Sequence, residues 1–313
     1  MTTRTTLAEG TVDIDGRELE LSNLDKLLYP KTGTTKGDVL EYYRKIAPSL
    51  LPHLTGRPLT MKRYPDGVEG SHFYEKQCPP WRPDWVSTAS VWTERKQRDV
   101  DFCVIDDLPT LLWAVNLADL EMHALLARAD DIQQPTMVVF DLDPGDGVGL
   151  AECAEVAIWI REVLDHLDLD VVVKSSGSKG LHLAIPLNTG TSYEQTKPFA
   201  RALARLAERE RPDEVVSKMT KEKRRGKVFV DWSQNTAHKT TVVPFSLRAR
   251  ERPTVAVPLR WSEVAAVVDG KSKPEDLLMV TDQVLDEMSE RRKLAEPLLK
   301  QRQRIPDLEE MVG

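Results

Sequence analysis

The segment from residue 137 to residue 231 constrains the fold most strongly, because strand-like runs there alternate with two amphipathic helices. Apolar and β-branched residues form extended runs in MVVFDLDP, VVVKS, LHLAIPL and KVFVDW. Apolar residues recur at helical spacing over 150–167 and 193–210. The second and third extended runs are separated only by a glycine turn, SGSKG, which leaves no room for a helical crossover. The pattern predicts an α+β (mixed α/β) fold and argues against an all-parallel doubly wound sheet.

The N-terminal part is predicted to be a strand and helical subdomain. A hairpin is expected over Val12–Ile14 and Glu18–Leu21, followed by a helix capped at Ser22-Asn23 that runs to Leu28. A further helix should begin after TTKGD (34–38), since apolar residues follow it at helical spacing.

Two more helical stretches complete the predicted elements. The longest runs from Leu108 to Ala129, and a charged one runs from Pro274 to about Leu299. We expect the chain to divide into 1–60, a core over 61–270 and a C-terminal helical segment over 271–313. Any boundary between lobes would fall near Pro135.

Composition places the chain among ordinary globular proteins, with 41% hydrophobic and 30% charged residues in 313. Its three cysteines, Cys78, Cys103 and Cys153, are odd in number and widely spaced, so they predict neither a disulfide framework nor a zinc site. A reducing, cytoplasmic setting is therefore expected. We predict no secretory signal and no membrane span, since no basic segment precedes an apolar one and no run reaches about 18 apolar residues.

Charge is distributed unevenly. The net charge is −7, yet residues 213–252 hold ten basic and five acidic residues, so this window is +5 and the rest is −12. A local basic face can attract phosphates even on an acidic protein. The alternative is a solvated charged loop, above all for KMTKEKRRGK.

Three carboxylates follow strand-like runs and are candidates for metal binding. Asp141 and Asp143 share one strand face because side chains alternate, and Pro144-Gly145 then turns the chain at the sheet rim. Paired carboxylates favour a divalent cation with oxygen ligands. Asp231 ends another β-branched run and would complete a two-metal site of the kind used in phosphoryl transfer. A metal-free surface turn remains an alternative, whereas a calcium loop is disfavoured because its sixth position is Asp146, not glycine.

The turn SSGSKGLH (175–182) is a candidate phosphate-binding element. Its glycines allow backbone amides to approach phosphate oxygens, and Lys179 adds a positive charge. It lacks the GxxxxGK[ST] spacing of a Walker loop and is followed by a strand, so a plain hairpin turn is the alternative. Arg248 and Arg250 share one face of an extended segment, as a triphosphate site would require.

These motifs resemble a known family. FDLDPG, SGSKGLHL and VFVDWSQN, in this order, are similar to the three motifs of the archaeo-eukaryotic primase superfamily. More closely, the chain resembles the polymerase domain of bacterial ligase D, the enzyme of non-homologous end joining. The resemblance also includes LSNLDKLLYP, TGTTKGD, FYEKQ, MTKEKRRGK and PFSLRAR, and it ends near residue 290. No ligase KxDG motif and no nuclease extension is found, so a stand-alone polymerase, or one whose ligase is encoded elsewhere, is expected.

The resemblance implies a fold, an activity and partners. The fold would be a primase-polymerase core of mixed and antiparallel sheets flanked by helices, with an N-terminal helical subdomain. The activity would be template-dependent addition of nucleotides, preferably ribonucleotides, to a DNA primer 3′-OH by a two-metal mechanism. Two Mn²⁺ or Mg²⁺ ions would be the cofactors, and NTP or dNTP the substrate. The expected partners are DNA with a gap, nick or double-strand break bearing a 5′-phosphate, Ku and a separate DNA ligase, with the chain a monomer at the nucleoid.

The resemblance also assigns roles to residues. Asp141, Asp143 and Asp231 would be catalytic and hold the metal ions. The nucleotide would contact His123 near its sugar, and Ser176, Lys179, His182, Arg248 and Arg250 at its triphosphate, with Gln234 in support. DNA would contact Phe73 and Tyr74 beside the templating base, Lys26 and Lys36 at the 5′-phosphate, and Arg224. Tyr74 stands where a second Phe is common in the family.

Two other functions compete with this interpretation. A haloacid-dehalogenase-like phosphatase also begins with an apolar strand and DxD, but Pro-Gly follows here where Gly-Thr is usual. A non-catalytic nucleic-acid-binding module would fit the basic window and the aromatic residues, yet it leaves the three carboxylates unexplained.

Overall fold

The computed structural model describes residues 7–93 and 97–306, so expectations that rest on 1–6 and 307–313 lie outside it. Its helices are α1 (Lys36–Leu54), α2 (Leu108–Asn116), α3 (Leu150–Asp165), α4 (Tyr193–Glu210), α5 (Trp261–Val268), α6 (Thr281–Asp286), α7 (Met288–Ala295) and α8 (Pro297–Lys300). Its first ten strands are β1 (Gly10–Ile14), β2 (Arg17–Leu21), β3 (Leu27–Tyr29), β4 (Thr34–Thr35), β5 (Pro58–Arg63), β6 (Phe73–Glu75), β7 (Thr88–Thr93), β8 (Arg98–Val104), β9 (Asp119–Leu125) and β10 (Ala127–Arg128). The others are β11 (Asp131–Pro135), β12 (Met137–Pro144), β13 (Val172–Ser175), β14 (Leu181–Pro186), β15 (Val215–Val216), β16 (Val228–Asp231), β17 (Thr240–Val242), β18 (Leu247–Ala249), β19 (Pro253–Val255) and β20 (Met279–Val280).

Two mixed or antiparallel sheets dominate the fold. The five-stranded sheet has the order β13-β14-β12-β16-β15, with β15 and β16 parallel and the other neighbours antiparallel. The six-stranded sheet has the order β17-β9-β5-β8-β7, with β6 beside β5. Short 3-10 turns cover Pro30–Thr32, Lys221–Arg224 and Pro274–Leu277. Among the described residues, no helix is long and apolar enough to cross a bilayer.

Strand β12 explains how the core positions the carboxylates. Val138, Phe140 and Leu142 point to one face and join the main hydrophobic core, which also includes apolar residues of α3. Val139 points to the opposite face and belongs to a separate small cluster that also contains residues of β9–β10 and β14. Because the side chains alternate, Asp141 and Asp143 extend this second face toward the sheet rim.

Several predicted elements are confirmed. The β1–β2 hairpin, α3, α4, β12, β16 and the β13–β14 pair lie where the sequence pattern placed them. Helix α1 begins with a capping box, in which the Thr35 side chain accepts from the Asp38 amide and Asp38 accepts from the Thr35 amide. The predicted α+β architecture is therefore present.

The predicted helix from Ser22 to Leu28 is wrong. Asn23 has a left-handed backbone, φ 56°, and Leu27–Tyr29 form a short strand paired with Thr34–Thr35. A seven-residue helix makes few internal hydrogen bonds, so burial of Leu28 and Tyr29 through strand pairing decides the local structure.

The predicted helix from Leu108 to Ala129 is also wrong beyond Asn116. Ala118 has φ 61°, which ends the helical path, and β9 then pairs with both β5 and β17 inside the six-stranded sheet. The sequence DLEMHAL has little β-propensity, so tertiary pairing overrides its local preference.

The C-terminal helix and the cysteine prediction need correction as well. Residues 274–299 form a 3-10 turn, the short strand β20 and three short helices in place of one helix, because β20 pairs with β19 and Pro297 starts a new helix.

Cys78 and Cys103 form a disulfide, while Cys153 is free and buried. The sequence did not predict this bond, because Cys78 in the loop after β6 and Cys103 on β8 are distant in sequence and become neighbours only in the folded sheet.

Candidate active site

Four polar side chains form a row across the five-stranded sheet. Asp141 on β12 is the direct partner of Asp231 on β16 and of His182 on β14, and His182 is the partner of Lys174 on β13. Opposed residues have Cβ atoms about 4.5–5.5 Å apart and share one face. The register therefore brings together Asp141, Asp231 and His182, as the sequence motifs predicted.

Hydrogen bonds along this row fix the proton on His182. Lys174 Nζ lies 2.8 Å from His182 Nδ1, and His182 Nε2 lies 3.2 Å from Asp141 Oδ1. Burial lowers the pKa of His182 to about 4, with Lys174 adding to this, so the ring is neutral near pH 7. Burial lowers the pKa of Lys174 to about 7, whereas Asp141 is ionised at this pH. Because a carboxylate only accepts, the arrangement fits a His182 ring with its proton on Nε2.

The carboxylates differ in their electrostatic surroundings. Burial raises the pKa of Asp141, but His182 and Lys174 lower it further, so it lies below its ordinary value. The pKa of Asp143 is raised to about 6 by partial burial and then by Asp141 and Asp231, against the opposing charge of Arg224. Asp143 remains exposed at the rim, where a cation could reach it and relieve the repulsion.

Asp231 is held by its own loop. Its carboxylate accepts from the Ser233 amide at 2.8 Å and from Gln234 Nε2 at 3.0 Å, and Lys239 Nζ lies 3.8 Å away. Gln234 thus supports the Asp231 carboxylate, and its predicted contact with the nucleotide stays a prediction. Within residues 7–93 and 97–306, no three His, Cys, Asp or Glu side chains form a ready-made metal site. The metal assignment therefore stays a prediction.

The β13–β14 turn is closed by hydroxyls and reached by both arginines. Ser176 Oγ accepts from the amides of residues 178 and 180, both at 3.2 Å. Arg248 donates to the Ser176 carbonyl at 2.6 Å, and Arg250 donates to the Ser178 hydroxyl. Lys179 lies exposed on the same turn. Ser176, Lys179 and the two arginines are therefore brought together, although the amides of residues 177, 178 and 180 already bond to serine hydroxyls of the same turn.

Gly180 is required by the close approach of this turn to β12. A Cβ atom at this position would lie 1.9 Å from the Leu142 carbonyl oxygen, a contact no side chain can make. The glycine therefore lets the turn pack beside the strand that carries Asp141 and Asp143.

An aromatic surface lies on the other sheet. Phe73 and Tyr74 are 44% and 59% exposed on β6, and cross-strand pairing places Arg63 and Lys62 opposite them. The Arg63 guanidinium lies 5.2 Å from the Phe73 ring centroid, and Lys62 Nζ lies 5.4 Å from that of Tyr74. The rings of Tyr74 and His123 meet edge to face at 6.2 Å. The structure thus brings Tyr74 beside His123, which lies on β9 and not on a helix.

Arg224 lies beside the carboxylates. Its guanidinium is 3.7 Å from the Phe229 ring centroid and donates to the Met219 carbonyl at 3.0 Å. Its charge opposes the rise in the pKa of Asp143. Direct contact with DNA remains a prediction for this residue.

Lys26 and Lys36 are neighbours, but their settings differ. The Lys36 amide donates to the Lys26 carbonyl at 2.8 Å, and the charge of Lys26 helps burial lower the pKa of Lys36 to about 8. Lys36 Nζ is buried and donates to the Ser22 carbonyl, whereas Lys26 is partly exposed beside Asp66. The first amides of α1 already have backbone or capping partners, so a phosphate at this point would depend on the lysine side chains.

Three functional candidates escaped the sequence analysis. Lys174 contacts His182, and Lys62 and Glu121 lie among the nucleotide-binding candidates. A lysine inside the apolar run VVVKS was an available signal for Lys174. Glu121 offered none, because the incorrect helix prediction hid which face of the chain it occupies.

The fold is that of the primase-polymerase class. The polymerase domain from Mycobacterium tuberculosis Ligase D, solved in complex with DNA, superposes with a TM-score of 0.83 at 39% sequence identity. The match covers 91% of this chain and 99% of that one. The predicted primase-polymerase fold is therefore confirmed.

The chain belongs to the family described as LigD, primase-polymerase domain, whose model matches residues 35–289. It is 42% identical over 282 residues to the multifunctional non-homologous end joining protein LigD of Mycolicibacterium smegmatis, which covers 90% of this chain and 36% of that protein. The bifunctional LigD of Bacillus subtilis is 30% identical over 270 residues, 86% of this chain and 42% of that protein. The chain thus spans about a third to two fifths of the length of these relatives.

Proposed function

We propose that this chain is a template-dependent nucleotidyltransferase of non-homologous end joining, which adds nucleotides, preferably ribonucleotides, to a DNA primer 3′-OH at gaps or breaks. The observation that carries the proposal is the cross-strand register of Asp141 with Asp231 and His182 beside the arginine-bound turn. Family membership supports the same activity.

The incoming triphosphate would bind between the turn and the carboxylates. Arg248 and Arg250 come from β18 and the residues after it, and Lys179 and His182 come from the β13–β14 unit. The arginines and Lys179 supply positive charges and N–H donors that suit phosphate oxygens, and Arg can bind two of them at once. Because Arg248 is already fixed on the Ser176 carbonyl, little ordering would be needed on binding.

Asp141, Asp143 and Asp231 would hold two divalent ions, with Mn²⁺ preferred or Mg²⁺. Their oxygen donors suit hard cations, and the raised pKa of Asp143 reflects a repulsion that such ions would remove. When bound, the ions would neutralise charge on the transferring phosphoryl group. Gln234 and the loop amide would keep the Asp231 carboxylate aimed at its ligand position.

DNA would occupy the aromatic surface and the N-terminal lysines. Phe73 and Tyr74 would stack beside the templating base, and their partners Arg63 and Lys62 would meet the strand's phosphates. Lys26 and Lys36 would recognise a downstream 5′-phosphate, with Arg224 near the primer end. Ku at the DNA end and a DNA ligase to seal the product are the proposed partners.

The test is incorporation on a labelled primer annealed across a short gap with a downstream 5′-phosphate, with each NTP and dNTP, in Mn²⁺, Mg²⁺ or EDTA. We expect metal-dependent addition of the nucleotide complementary to the template, with ribonucleotides favoured. No templated addition in either metal would overturn the proposal. Phosphomonoester hydrolysis without addition would favour a phosphatase, and DNA binding without either reaction a non-catalytic module.

A further inference from the structure

A buried carboxylate, Glu121, lies at the centre of the polar groups between β9, β5 and β18. Its side chain is only 2% exposed. Its oxygens contact Lys62 Nζ at 3.2 Å, Tyr64 Oη at 3.1 Å, the Ala249 amide at 3.1 Å, His123 Nε2 at 3.1 Å and Arg248 Nε at 3.1 Å. Glu121 therefore links His123 to Arg248, which come from distant parts of the sequence.

The two carboxylate oxygens of Glu121 contact different sets of residues. Oε1 binds the lysine, the tyrosine hydroxyl and the backbone amide, which ties β9 to β5 and β18. Oε2 faces His123 and Arg248, with Arg248 as an ion pair. Burial alone would favour the protonated acid, but His123, Arg248 and Lys62 hold the pKa of Glu121 well below its usual range. The group is thus an ionised acceptor, and a carboxylate can only accept.

This acceptor determines which nitrogen of His123 carries the proton. Burial lowers the pKa of His123, so the ring is neutral near pH 7 and has one N–H. The N–H must be on Nε2, since that atom faces the carboxylate at 3.1 Å. Nδ1 is then an acceptor, and among the described residues no group hydrogen bonds to it. An acceptor without a protein partner suits a hydroxyl donor on a ligand.

We propose that Glu121 is a positioning residue that sets nucleotide-sugar selectivity, by keeping His123 Nδ1 an acceptor for a ribose hydroxyl while anchoring Arg248 for the triphosphate. The inference rests on the proposed function and deepens it. A site that accepts a hydrogen bond from a sugar hydroxyl discriminates against the deoxy analogue, whose binding leaves the acceptor unpaired. Glu121 touches no substrate in this scheme and acts only through His123 and Arg248.

Glu121→Gln tests the proposal while keeping the side chain's shape. The amide can present either a donor or an acceptor to His123, so the single tautomer is lost. We expect the ratio of kcat/KM for a ribonucleotide to that for its deoxy analogue to fall at least about fivefold, as expected for one lost hydrogen bond. The weakened hold on Arg248 should also raise KM for both nucleotides together.

Asp119 provides the matched control. It is a second fully buried carboxyl on β9, two residues away, and its Oδ1 accepts from the Lys62 amide. It contacts neither His123 nor Arg248, so Asp119→Asn should leave the selectivity ratio unchanged. A thermal unfolding curve on each variant will show that the fold is retained.

Two further measurements separate this role from a purely structural one. In a double-mutant cycle, Glu121→Gln should not lower the ratio further when His123 is already Ala. Nitrogen NMR of the imidazole should show the Nε2–H form in wild type and a mixture in Glu121→Gln, in the absence of substrate.

If Glu121→Gln changes neither the kcat/KM ratio of ribonucleotide to deoxynucleotide nor the His123 tautomer, the role of Glu121 is overturned while the proposed function stands. No nucleotide addition by wild type would overturn the proposed function and the selectivity role with it. The two failures are thus distinguished by the wild-type activity.

Discussion

Asp141 and Asp231 lie directly opposite each other on the antiparallel strands β12 and β16, and His182 flanks Asp141 from the other side. The three residues come from separate sequence motifs. The pairing of their strands, and not any single motif, places their side chains on one surface. The Asn235 side chain reinforces it by accepting from the Val139 amide at 2.9 Å and donating to the Val139 carbonyl at 2.8 Å. The predictions below follow from this surface and its supports.

Gly180→Ala should destabilise the protein and reduce activity, because the new methyl group would collide with the Leu142 carbonyl. Overpacking of this kind costs about 1–3 kcal/mol of the free energy of unfolding. Denaturant titration will measure it. Gly149→Ala is the control, since its nearest neighbour would be Glu152 at 3.9 Å, an ordinary contact. Equal stabilities of the two variants would contradict the steric argument.

His53 should make the protein less stable in mild acid. Burial, then the charges of Arg57 and Lys174, lower its pKa from 6.5 to about 3. Below pH 6.5 the unfolded chain therefore takes up a proton that the folded protein does not, and the free energy of unfolding falls as the pH drops toward 3. Between pH 7 and pH 5 the loss from this one group is about 2 kcal/mol.

His53→Leu should remove that contribution. The stability difference between wild type and this variant, measured by denaturant titration at both pH values, should shift against wild type by this amount at pH 5. A difference that is constant with pH would show that His53 is protonated normally in the folded protein.

Lys26→Ala should weaken binding to a gapped duplex with a downstream 5′-phosphate by about tenfold, as expected for one charge-assisted hydrogen bond. Binding to the same duplex without the phosphate should change little. Fluorescence anisotropy at low and moderate salt will measure both. Lys31→Ala, which removes a nearby exposed lysine paired with Glu251, is the control. Equal losses for both DNAs would indicate a nonspecific charge effect.

The disulfide predicts a simple thiol count. Denatured without reductant, the air-oxidised protein should expose one reactive thiol, Cys153, and after reduction it should expose three. Three thiols before reduction would show that Cys78 and Cys103 are not bonded in the isolated protein. Cys78→Ser should raise the first count, because it frees Cys103.

The sequence predicted the strands and helices that are determined by the pattern of neighbouring residues. The alternation of MVVFDLDP identified β12 and the shared face of Asp141 and Asp143, and apolar residues at helical spacing identified α1, which begins at Lys36 and not after residue 38. The glycine turn marked the β13–β14 pair because a short turn permits only adjacent strands.

The parts that were missed depend on contacts between distant segments. Residues 119–125 form a strand because β5 and β17 pair with them, although their composition suits a helix. The disulfide and the contacts of Glu121 likewise join segments whose proximity no spacing reveals. Lys36 was correctly placed near Lys26, but its burial could not be inferred from a polar sequence context.

The central claim is that Asp141, Asp143 and Asp231 act as one metal-dependent unit, and nucleotide incorporation by their single Ala variants in Mn²⁺ tests it most directly. Each variant should lose templated addition while retaining its fold and DNA binding, which do not need the metal. A double variant of Asp141 and Asp143 should be no worse than either single one, because groups that act as a unit are not additive. Near-normal primer extension by any one of the three single variants would contradict the account.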